Sequence, residues 1–244
     1  MIRLRFEKAS QIFENNASAI ILPLDEITEE LAKEYSRKLY AEIPAMIWEG
    51  ELDSVRKALD KIKSWGVYDV VAENIGAISL AKEFGFNIHG GSTLNILNST
   101  SLSEYEELGL CDATLSFELA FSKMRKIKGN IPFGFIGYGY MSVMKLRSCP
   151  ARGERGCASC DGHPVLTDRM GEQFQIICHN KKYSDMLNCV PTYVADKTVP
   201  DVDFQTLFFT IETKEEAEEI YRLYKSKETP SFRRTSGLYF RELQ

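Results

Sequence analysis

Four cysteines carry the strongest chemical signal in the sequence. Cys149, Cys157, Cys160 and Cys178 follow the spacing C-x7-C-x2-C-x17-C in a stretch rich in glycine and proline. A C-x2-C pair lets two thiolates meet one ion from a single turn, and two further cysteines complete a tetrahedral set. Glycine and proline favour a loop, where metal ligands are commonly found. The sequence therefore predicts a metal site.

The spacing leaves the metal and the fourth ligand open. Four thiolates suit zinc and an iron–sulfur cluster equally well. Cys189 could replace Cys178, and His163 or His179, which lie beside the cysteines, could replace one of them. Cys111 lies between a predicted helix and a predicted strand, and we expect it to be a packing residue.

A second group of candidates lies at the C-terminal ends of predicted strands, where barrel enzymes build their active sites. Glu73, Asn95 and Glu118 occupy such positions, and we expect them to line a pocket that performs acid/base chemistry or binds a polar substrate. Glu118 should point into the barrel mouth, because strand alternation places it on the face of Thr114 and Ser116. The alternative is that such residues cap the following helix. Further residues at strand ends are Glu49, Asn74 and Tyr138.

The elements that position these residues alternate between strands and helices. The apolar run 19–24 is typical of a strand buried in a parallel sheet, and the helices predicted at 52–65 and 75–84 are closed by Gly66 and Gly85. Eight strand-like segments follow this rhythm, which is the number that closes a barrel. We therefore predict an α/β fold of the (β/α)8 TIM-barrel type. An open doubly wound sheet is the alternative.

The stretch 138–200 interrupts the rhythm after the seventh predicted strand. It contains the four cysteines, and short strands are predicted within it at 173–177 and 192–195. We predict one domain over 1–244, with 138–200 forming a cysteine-rich, metal-binding region inside it, near the barrel mouth.

Composition narrows the classes of function. The chain has 244 residues and a formal net charge of -5, with acidic and basic residues interspersed, which argues against a polybasic nucleic-acid arm. A local basic stretch at Lys145, Arg147, Arg152 and Arg155 could still contact an anion or RNA. No signal peptide or membrane span is visible, so the expected location is the cytoplasm. In that reducing compartment, closely spaced cysteines more often bind metal than form disulfides.

Several segments, taken in order, resemble the collagenase-like peptidase family known as peptidase U-32. They are LNILNS (94–99), LSFEL (115–119), YGYMSVMKLRSCP, GCASC, VLTDRMGEQFQIIC, YSDMLNCVPTYVAD and GLYFREL (237–243). The last is similar to a degraded form of the family's Thr-Arg-Gly ending, and the chain is far shorter than the long family members. The resemblance implies one barrel module that stands alone, forms a homo-oligomer or works with a partner chain of the same family.

The resemblance implies two different activities. The family name records a collagen-degrading peptidase, but this sequence contains no recognisable protease triad or metalloprotease motif. Other members are oxygen-independent hydroxylases of RNA bases or of the ubiquinone ring, with a four-cysteine iron–sulfur cluster. We therefore expect a hydroxylase or modifying enzyme that acts on RNA or a small aromatic substrate, with a 4Fe-4S cluster on the four cysteines. The alternatives are a collagenase-like peptidase and a non-catalytic barrel subunit with a structural zinc.

Overall fold

The structure is a computed structural model that describes residues 1–152, 157, 160 and 164–241. The strands of this part of the chain are β1 (Ile2–Phe6), β2 (Ala19–Pro23), β3 (Leu39–Glu42), β4 (Asp69–Ala72), β5 (Asn87–Gly90), β6 (Leu110–Thr114), β7 (Phe133–Gly139), β8 (Ser142–Leu146), β9 (Val165–Thr167), β10 (Gln173–His179), β11 (Tyr183–Leu187), β12 (Thr192–Tyr193) and β13 (Phe204–Phe209). Its α-helices are α1 (Glu29–Tyr35), α2 (Leu52–Ser64), α3 (Ile75–Phe84), α4 (Ser99–Glu107), α5 (Phe121–Met124) and α6 (Lys214–Ser226).

Strands β1 to β7 and β13 form a closed parallel barrel. Each of the first six strands pairs with the next, and β13 pairs in parallel with both β7 and β1, which closes the ring. The short strand β12 adds to β7 in the antiparallel direction. The predicted (β/α)8 barrel is therefore confirmed, because closure removes the free edges that an open sheet would have.

At the helix ends, side-chain hydrogen bonds and a glycine satisfy or replace backbone hydrogen bonds that the helix itself cannot make. In α6, Thr213 Oγ1 accepts from Glu216 N at 3.2 Å, and the Glu216 carboxylate accepts from Thr213 N at 2.8 Å. Gly85 ends α3 in the left-handed region, with φ of 65°. The connection between β1 and β2 contains a short 3-10 turn at Ala9–Gln11.

The region between β7 and β13 is an insertion, as predicted, but it folds as a sheet. Strands β8 to β11 form an antiparallel sheet in the order β8-β11-β10-β9. The hairpin between β10 and β11 joins the paired residues His179 and Tyr183 through three residues, of which Asn180 and Lys181 have positive φ values of 54° and 63°. Strands β8, β9 and β11 were not predicted. The residues of β8 and β9 are exposed or half-buried, so these two strands lack the alternation between buried and exposed positions that marks a strand in a sequence.

The third barrel strand lies earlier in the chain than a strand that ends at Glu49 would, because β3 covers Leu39–Glu42. Helix α1 stops at Tyr35 because Ser36 takes a positive φ of 47°, and the chain then enters β3 at Leu39. Glu49 consequently lies in a short 3-10 turn before α2 and does not end a strand. Among the described residues, no helix combines the length and apolar character needed to cross a lipid bilayer. The cytoplasmic location stays a prediction.

Strand β1 sends charged side chains into the barrel. Leu4 and Phe6 join the apolar core between the strands and the helices, while Arg3 and Arg5 alternate with them and point the other way. Arg3 on β1 binds Asp112 on β6, and because these strands are not neighbours, the contact must cross the barrel interior. The barrel centre is thus polar, unlike the branched apolar layers usual in this fold.

Candidate active site and cysteine cavity

A cavity of about 230 Å³ lies between the barrel mouth and the inserted sheet, and is called the mouth cavity below. The barrel contributes the ends of β1, β3 and β4, and the insertion contributes β8, β10 and β11. Its charged and titratable lining consists of Arg5, Glu7, Glu42, Glu73, Tyr140, Lys145, His179, Tyr183 and Asp185, and its apolar aromatic walls are Phe117 and Phe208. The insertion therefore covers the end of the barrel where active sites of this fold are found.

On the barrel side, Arg5 is shared between two carboxylates. Its Nη1 donates to Glu73 Oε1 at 2.9 Å, and its Nη2 donates to Glu42. Glu73 also accepts from Thr93 N at 2.8 Å and from Thr93 Oγ1 at 2.7 Å. Burial raises the pKa of Glu42, and Arg5 opposes this shift. The Arg5 Nε and the buried Thr210 Oγ1 have no hydrogen-bond partner among the described residues.

On the insertion side, Asp185 gathers three donors. Ser142 Oγ donates to it at 2.7 Å, Lys145 Nζ at 2.8 Å and His179 Nε2 at 2.9 Å. Burial raises the pKa of Asp185, but these hydrogen bonds and the Lys145 charge outweigh burial and hold that pKa well below its ordinary range. The His179 ring also stacks on Tyr183, with centroids 4.3 Å apart. Asp185 is therefore an ionised anchor that fixes the imidazole.

Of the three predicted pocket residues, the structure brings Glu73 to the mouth cavity. Glu73 is 3% exposed and follows β4, as the pattern indicated. Asn95 has φ of 57°, is exposed, and its side chain accepts from Ser116 Oγ at 2.7 Å. Strand β6 ends at Thr114, so the strand alternation that was expected to orient Glu118 does not reach it. Glu118 lies in a turn, and its backbone N–H donates to Ser116 Oγ at 3.2 Å. Neither Asn95 nor Glu118 is among the described residues that line the mouth cavity.

The remaining strand-end candidates are structural in this chain. Asn74 caps α3, because its side chain accepts from Ala77 N at 2.8 Å. Tyr138 is 1% exposed, and its hydroxyl donates to Glu212 at 2.6 Å. The helix-cap interpretation therefore applies to Asn74.

A second cavity, of about 300 Å³, gathers three of the four predicted cysteine ligands and is called the cysteine cavity. Cys149, Cys157 and Cys178 line it, and Cys160 N donates to Cys157 O at 3.4 Å. No set of three or more potential metal-binding residues within the described part of the chain already has metal-binding geometry. The cationic residues that line the cavity are Arg147, Arg152 and Lys181.

The cysteine cavity and the mouth cavity lie on opposite faces of β10. Cys178 lines the first and its neighbour His179 lines the second, as alternation along a strand requires. Tyr183, on β11, lines both. Cys189 contacts Asn188 and does not line the cysteine cavity, so the geometry favours Cys178 as the fourth ligand. His163 lies outside the described residues.

Four residues of the mouth cavity were not predicted as site residues: Arg5, Glu7, Glu42 and Asp185. The alternation of IRLRFE placed two arginines on one face of a strand that begins the barrel, which was a usable signal for an inward charged pair. Asp185 lies on a strand of the insertion that was not predicted. Its role depends on long-range packing that spacing does not reveal.

Comparison with known proteins gives the family. The model of Peptidase family U32 matches residues 17–152, more than half of the chain. An uncharacterized protease of Methanocaldococcus jannaschii is 27% identical over 100 residues, which are 41% of this chain and 24% of that protein. The match therefore spans about a quarter of the length of that relative.

Two solved structures are similar in outline. The U32 peptidase Mk0906 aligns with a TM-score of 0.49 at 15% identity, over 86% of this chain and 93% of that one. A structure described as native KDPGal aligns with a TM-score of 0.36 at 13% identity, over 56% of this chain and 71% of that one.

Proposed function

We propose that this chain, which belongs to peptidase family U32, is a cluster-dependent modifying enzyme that hydroxylates RNA or a small aromatic substrate at the barrel mouth. The observation that carries the proposal is the arrangement around β10 and β11. Cys178 and His179 are sequence neighbours that face the cysteine cavity and the mouth cavity, and Tyr183 borders both. An electron carrier on the cysteines would then lie one side chain away from a substrate in the mouth.

The residues of the cysteine cavity fit an iron–sulfur cluster by the chemistry of their donors. Cys149, Cys157, Cys160 and Cys178 would hold it, since three of them line one cavity and Cys160 is tied to Cys157. Arg147, Arg152 and Lys181 would offset the negative charge of thiolate ligands, a recognised way of tuning such a site. When bound, the cluster supplies single-electron transfer.

The mouth cavity supplies binding and orientation. Phe117 and Phe208 offer flat apolar contact to a ring, while Glu73 and Glu42 hold Arg5 in place at one end. A volume of about 230 Å³ suits a compact ligand better than an extended peptide, because pockets for drug-sized ligands start at about 300 Å³. Asn95 and Glu118 remain predicted contributors, to be tested by substitution alongside Glu73.

The second candidate is a peptidase, and the printed name of the Methanocaldococcus jannaschii relative favours it. The mouth contains an Asp185–His179 pair of the kind that activates a nucleophile. However, the group nearest the free imidazole nitrogen is the Glu7 carboxyl, at 3.5 Å, and Ser142 bonds to Asp185 instead. A zinc closed by four thiolates would offer no open position for water.

The deciding experiment is strictly anaerobic purification followed by analysis of iron, sulfide and zinc per chain. The proposal expects iron and sulfide in cluster stoichiometry and a visible thiolate-to-iron absorbance. Stoichiometric zinc in colourless protein would favour the non-catalytic subunit or the peptidase. In parallel, nucleosides from total RNA and small aromatic metabolites are compared between cells with and without the gene. The expected change is loss of a species heavier than its precursor by one oxygen atom.

We also propose that the module works as a homo-oligomer or with a partner chain of its own family. Light scattering on the anaerobically purified chain, alone and after co-expression with a second family member, measures this directly. A monomer that carries the full modification activity in cells lacking other family members would contradict it.

A further inference from the structure

Glu7 is the mouth carboxyl that the fold leaves without a hydrogen bond. Glu42 and Glu73 are bound to Arg5, and Asp185 has three donors. The Glu7 carboxyl accepts no hydrogen bond among the described residues, and its nearest charged neighbour is His179 Nδ1 at 3.5 Å. Its side chain is nevertheless only 12% exposed. A buried carboxyl that has a 3.5 Å ion-pair contact but accepts no hydrogen bond costs stability when it is ionised, which a folding role does not explain.

Glu7 also lies where two cavities meet. A further cavity of about 240 Å³, called the side cavity, lies between the ends of β2 and β3, helix α2 and the β10–β11 turn. It shares Glu7, Glu42, His179 and Tyr183 with the mouth cavity. A ligand in either chamber would therefore come against the same carboxyl.

Two buried polar atoms beside the mouth cavity also lack a hydrogen-bond partner. Thr210 lines the mouth cavity and is 3% exposed, and its Oγ1 has no partner among the described residues. The Arg5 Nε and, deeper in the barrel, the Thr206 Oγ1 are also unpartnered there. Buried polar atoms are normally hydrogen-bonded, so the polar groups around Glu7 are incompletely satisfied by the fold.

We infer that Glu7 exchanges a proton with the substrate in the mouth cavity, and that His179 and Asp185 position it. The inference rests on the proposed function, because the substrate is the one modified there. Asp185 holds the imidazole through Nε2, and stacking on Tyr183 fixes the ring plane, so that Nδ1 faces Glu7. This is the arrangement of an acid–base group oriented by a second residue and an anchoring carboxylate.

The balance of charges around Glu7 suits this role. Burial raises its pKa to about 7, Glu42 adds to the rise, and His179, Arg5 and Lys8 oppose it. Asp25 and Tyr183 are further titratable groups that line the side cavity beside Glu7. An acid–base group works best when its pKa lies near the working pH, since it can then both hold and release the proton.

The step itself is a simple proton transfer. The O–H bond of the Glu7 carboxyl breaks, its proton bonds to an oxygen or nitrogen of the substrate, and the electron pair remains on the carboxylate. The reverse transfer restores the starting state, so no other reactant is consumed.

The test compares wild type, Glu7→Gln, Glu7→Asp and the matched control Glu14→Gln, each as anaerobically purified full chain. Glu14 lies on the same segment but is exposed. Infrared difference spectra across neutral pH follow the carbonyl stretch of a protonated carboxyl, and the same variants are assayed in cells for the modified product. Circular dichroism confirms that each variant folds.

We expect a carboxyl band that titrates near neutral pH in wild type and Glu14→Gln and is missing in Glu7→Gln. We expect product to fall at least about 100-fold in Glu7→Gln, the lower end of what acid–base catalysis contributes, with partial recovery in Glu7→Asp. Absence of the band from wild type, its persistence in Glu7→Gln, or unchanged product in that variant would overturn the inference. Lack of any modified product in wild-type cells overturns the proposed function instead, and the infrared titration, which needs no substrate, still decides whether Glu7 carries the proton.

Discussion

Two clusters of similar composition lie at two depths, one inside the barrel and one between the barrel mouth and the inserted sheet. In the deep set, His89 lies between Asp112 at 2.7 Å and Asp69 at 3.1 Å, stacks on Tyr40 at 4.2 Å, and has Arg3 beside it. In the mouth set, His179 lies between Asp185 at 2.9 Å and Glu7 at 3.5 Å and stacks on Tyr183, and Arg5 binds Glu42 and Glu73 nearby.

The two sets differ in how completely their groups are satisfied. The Arg3 guanidinium binds both oxygens of Asp112, at 2.9 and 2.6 Å, and lies 3.5 Å from the centre of the Phe204 ring. Its histidine is 7% exposed, whereas that of the mouth set is 24% exposed. The mouth set keeps Glu7, whose carboxyl accepts no hydrogen bond among the described residues, and its members border the mouth cavity, the cysteine cavity and the side cavity. The deep set therefore holds the barrel together, and the mouth set retains spare bonding capacity for a ligand.

The largest expected effect comes from replacing a cysteine ligand, which should loosen the strands of the mouth set and leave the deep set intact. Cys157→Ser or Cys160→Ser should release most of the bound metal, because each removes one ligand of a four-thiolate site. Amide exchange in β10 and β11 should then rise, while β5 and β6, which contain His89 and Asp112 of the deep set, should stay protected. Elemental analysis and hydrogen–deuterium exchange measure both.

Matched controls come from the other cysteines. Cys178→Ala should lose the metal, and Cys189→Ala and Cys111→Ser should keep it, since neither Cys189 nor Cys111 lines the cysteine cavity. Full metal retention in Cys157→Ser and Cys160→Ser would remove the basis for the site.

The next effect is on stability, and isosteric changes compare the two sets directly. Asp112→Asn should lower the free energy of unfolding by about 3 kcal/mol, because it leaves buried Arg3 and His89 without their shared carboxylate. Glu73→Gln, which changes a carboxylate bound to Arg5 of the mouth set, should cost about 1 kcal/mol or less, since Arg5 keeps Glu42. Urea denaturation gives both values, and equal losses would show that the mouth set is as structural as the deep one.

Some of these features could be predicted from the sequence and others could not. The barrel was predictable, because helices ended by Gly66 and Gly85 and buried apolar strands are local patterns. The cysteine region was predictable in kind, because C-x2-C spacing is also local. The boundaries of β3 were not, since the stop at Ser36 depends on a backbone conformation that serine rarely adopts.

The pairing of charges lay further out of reach. Arg3 and Asp112 are separated by 109 residues, and Glu7 meets His179 only because the inserted hairpin folds back over the barrel. His179 was considered as a metal ligand from its position beside Cys178. Strand alternation turns it to the opposite face, a fact that required knowing that 173–179 is a strand.

A third prediction uses the unbound carboxyl. Glu7→Gln should make the protein roughly 2 kcal/mol more stable above neutral pH, because the folded wild type must ionise a buried acid there. The sign follows from its pKa, which is about 7 in the folded chain against an ordinary value of 4.5. Wild-type stability should fall as pH rises from about 4.5 to 7, and the variant should lack this slope. Urea midpoints across that range test it, and parallel slopes would speak against a buried, raised Glu7.

A fourth prediction applies the same method to the deep set. Burial lowers the pKa of His89, but hydrogen bonds to Asp112 and Asp69 outweigh it, and the net shift is upward from the ordinary value of 6.5. The stabilisation from protonated His89 is therefore complete below pH 6.5 and is lost as pH rises through the raised value. His89→Gln should be less stable than wild type at acidic pH, with a gap that narrows on the alkaline side. A gap that widens with pH would contradict the arrangement.

The smallest expected effect is none at all, on collagen or gelatin. A peptidase would need an activated nucleophile or a metal-bound water in the mouth cavity. The His179–Asp185 pair faces a carboxyl, and four thiolates around zinc make a poor Lewis acid for water. Purified protein should therefore leave gelatin intact in a zymogram that a bacterial collagenase control digests. Cleavage that survives stringent purification and disappears in Glu7→Gln would restore the peptidase and would mean that the Glu7 carboxyl of the mouth set activates water. Cleavage that disappears in Glu118→Gln instead would restore the peptidase through a carboxyl outside the mouth set.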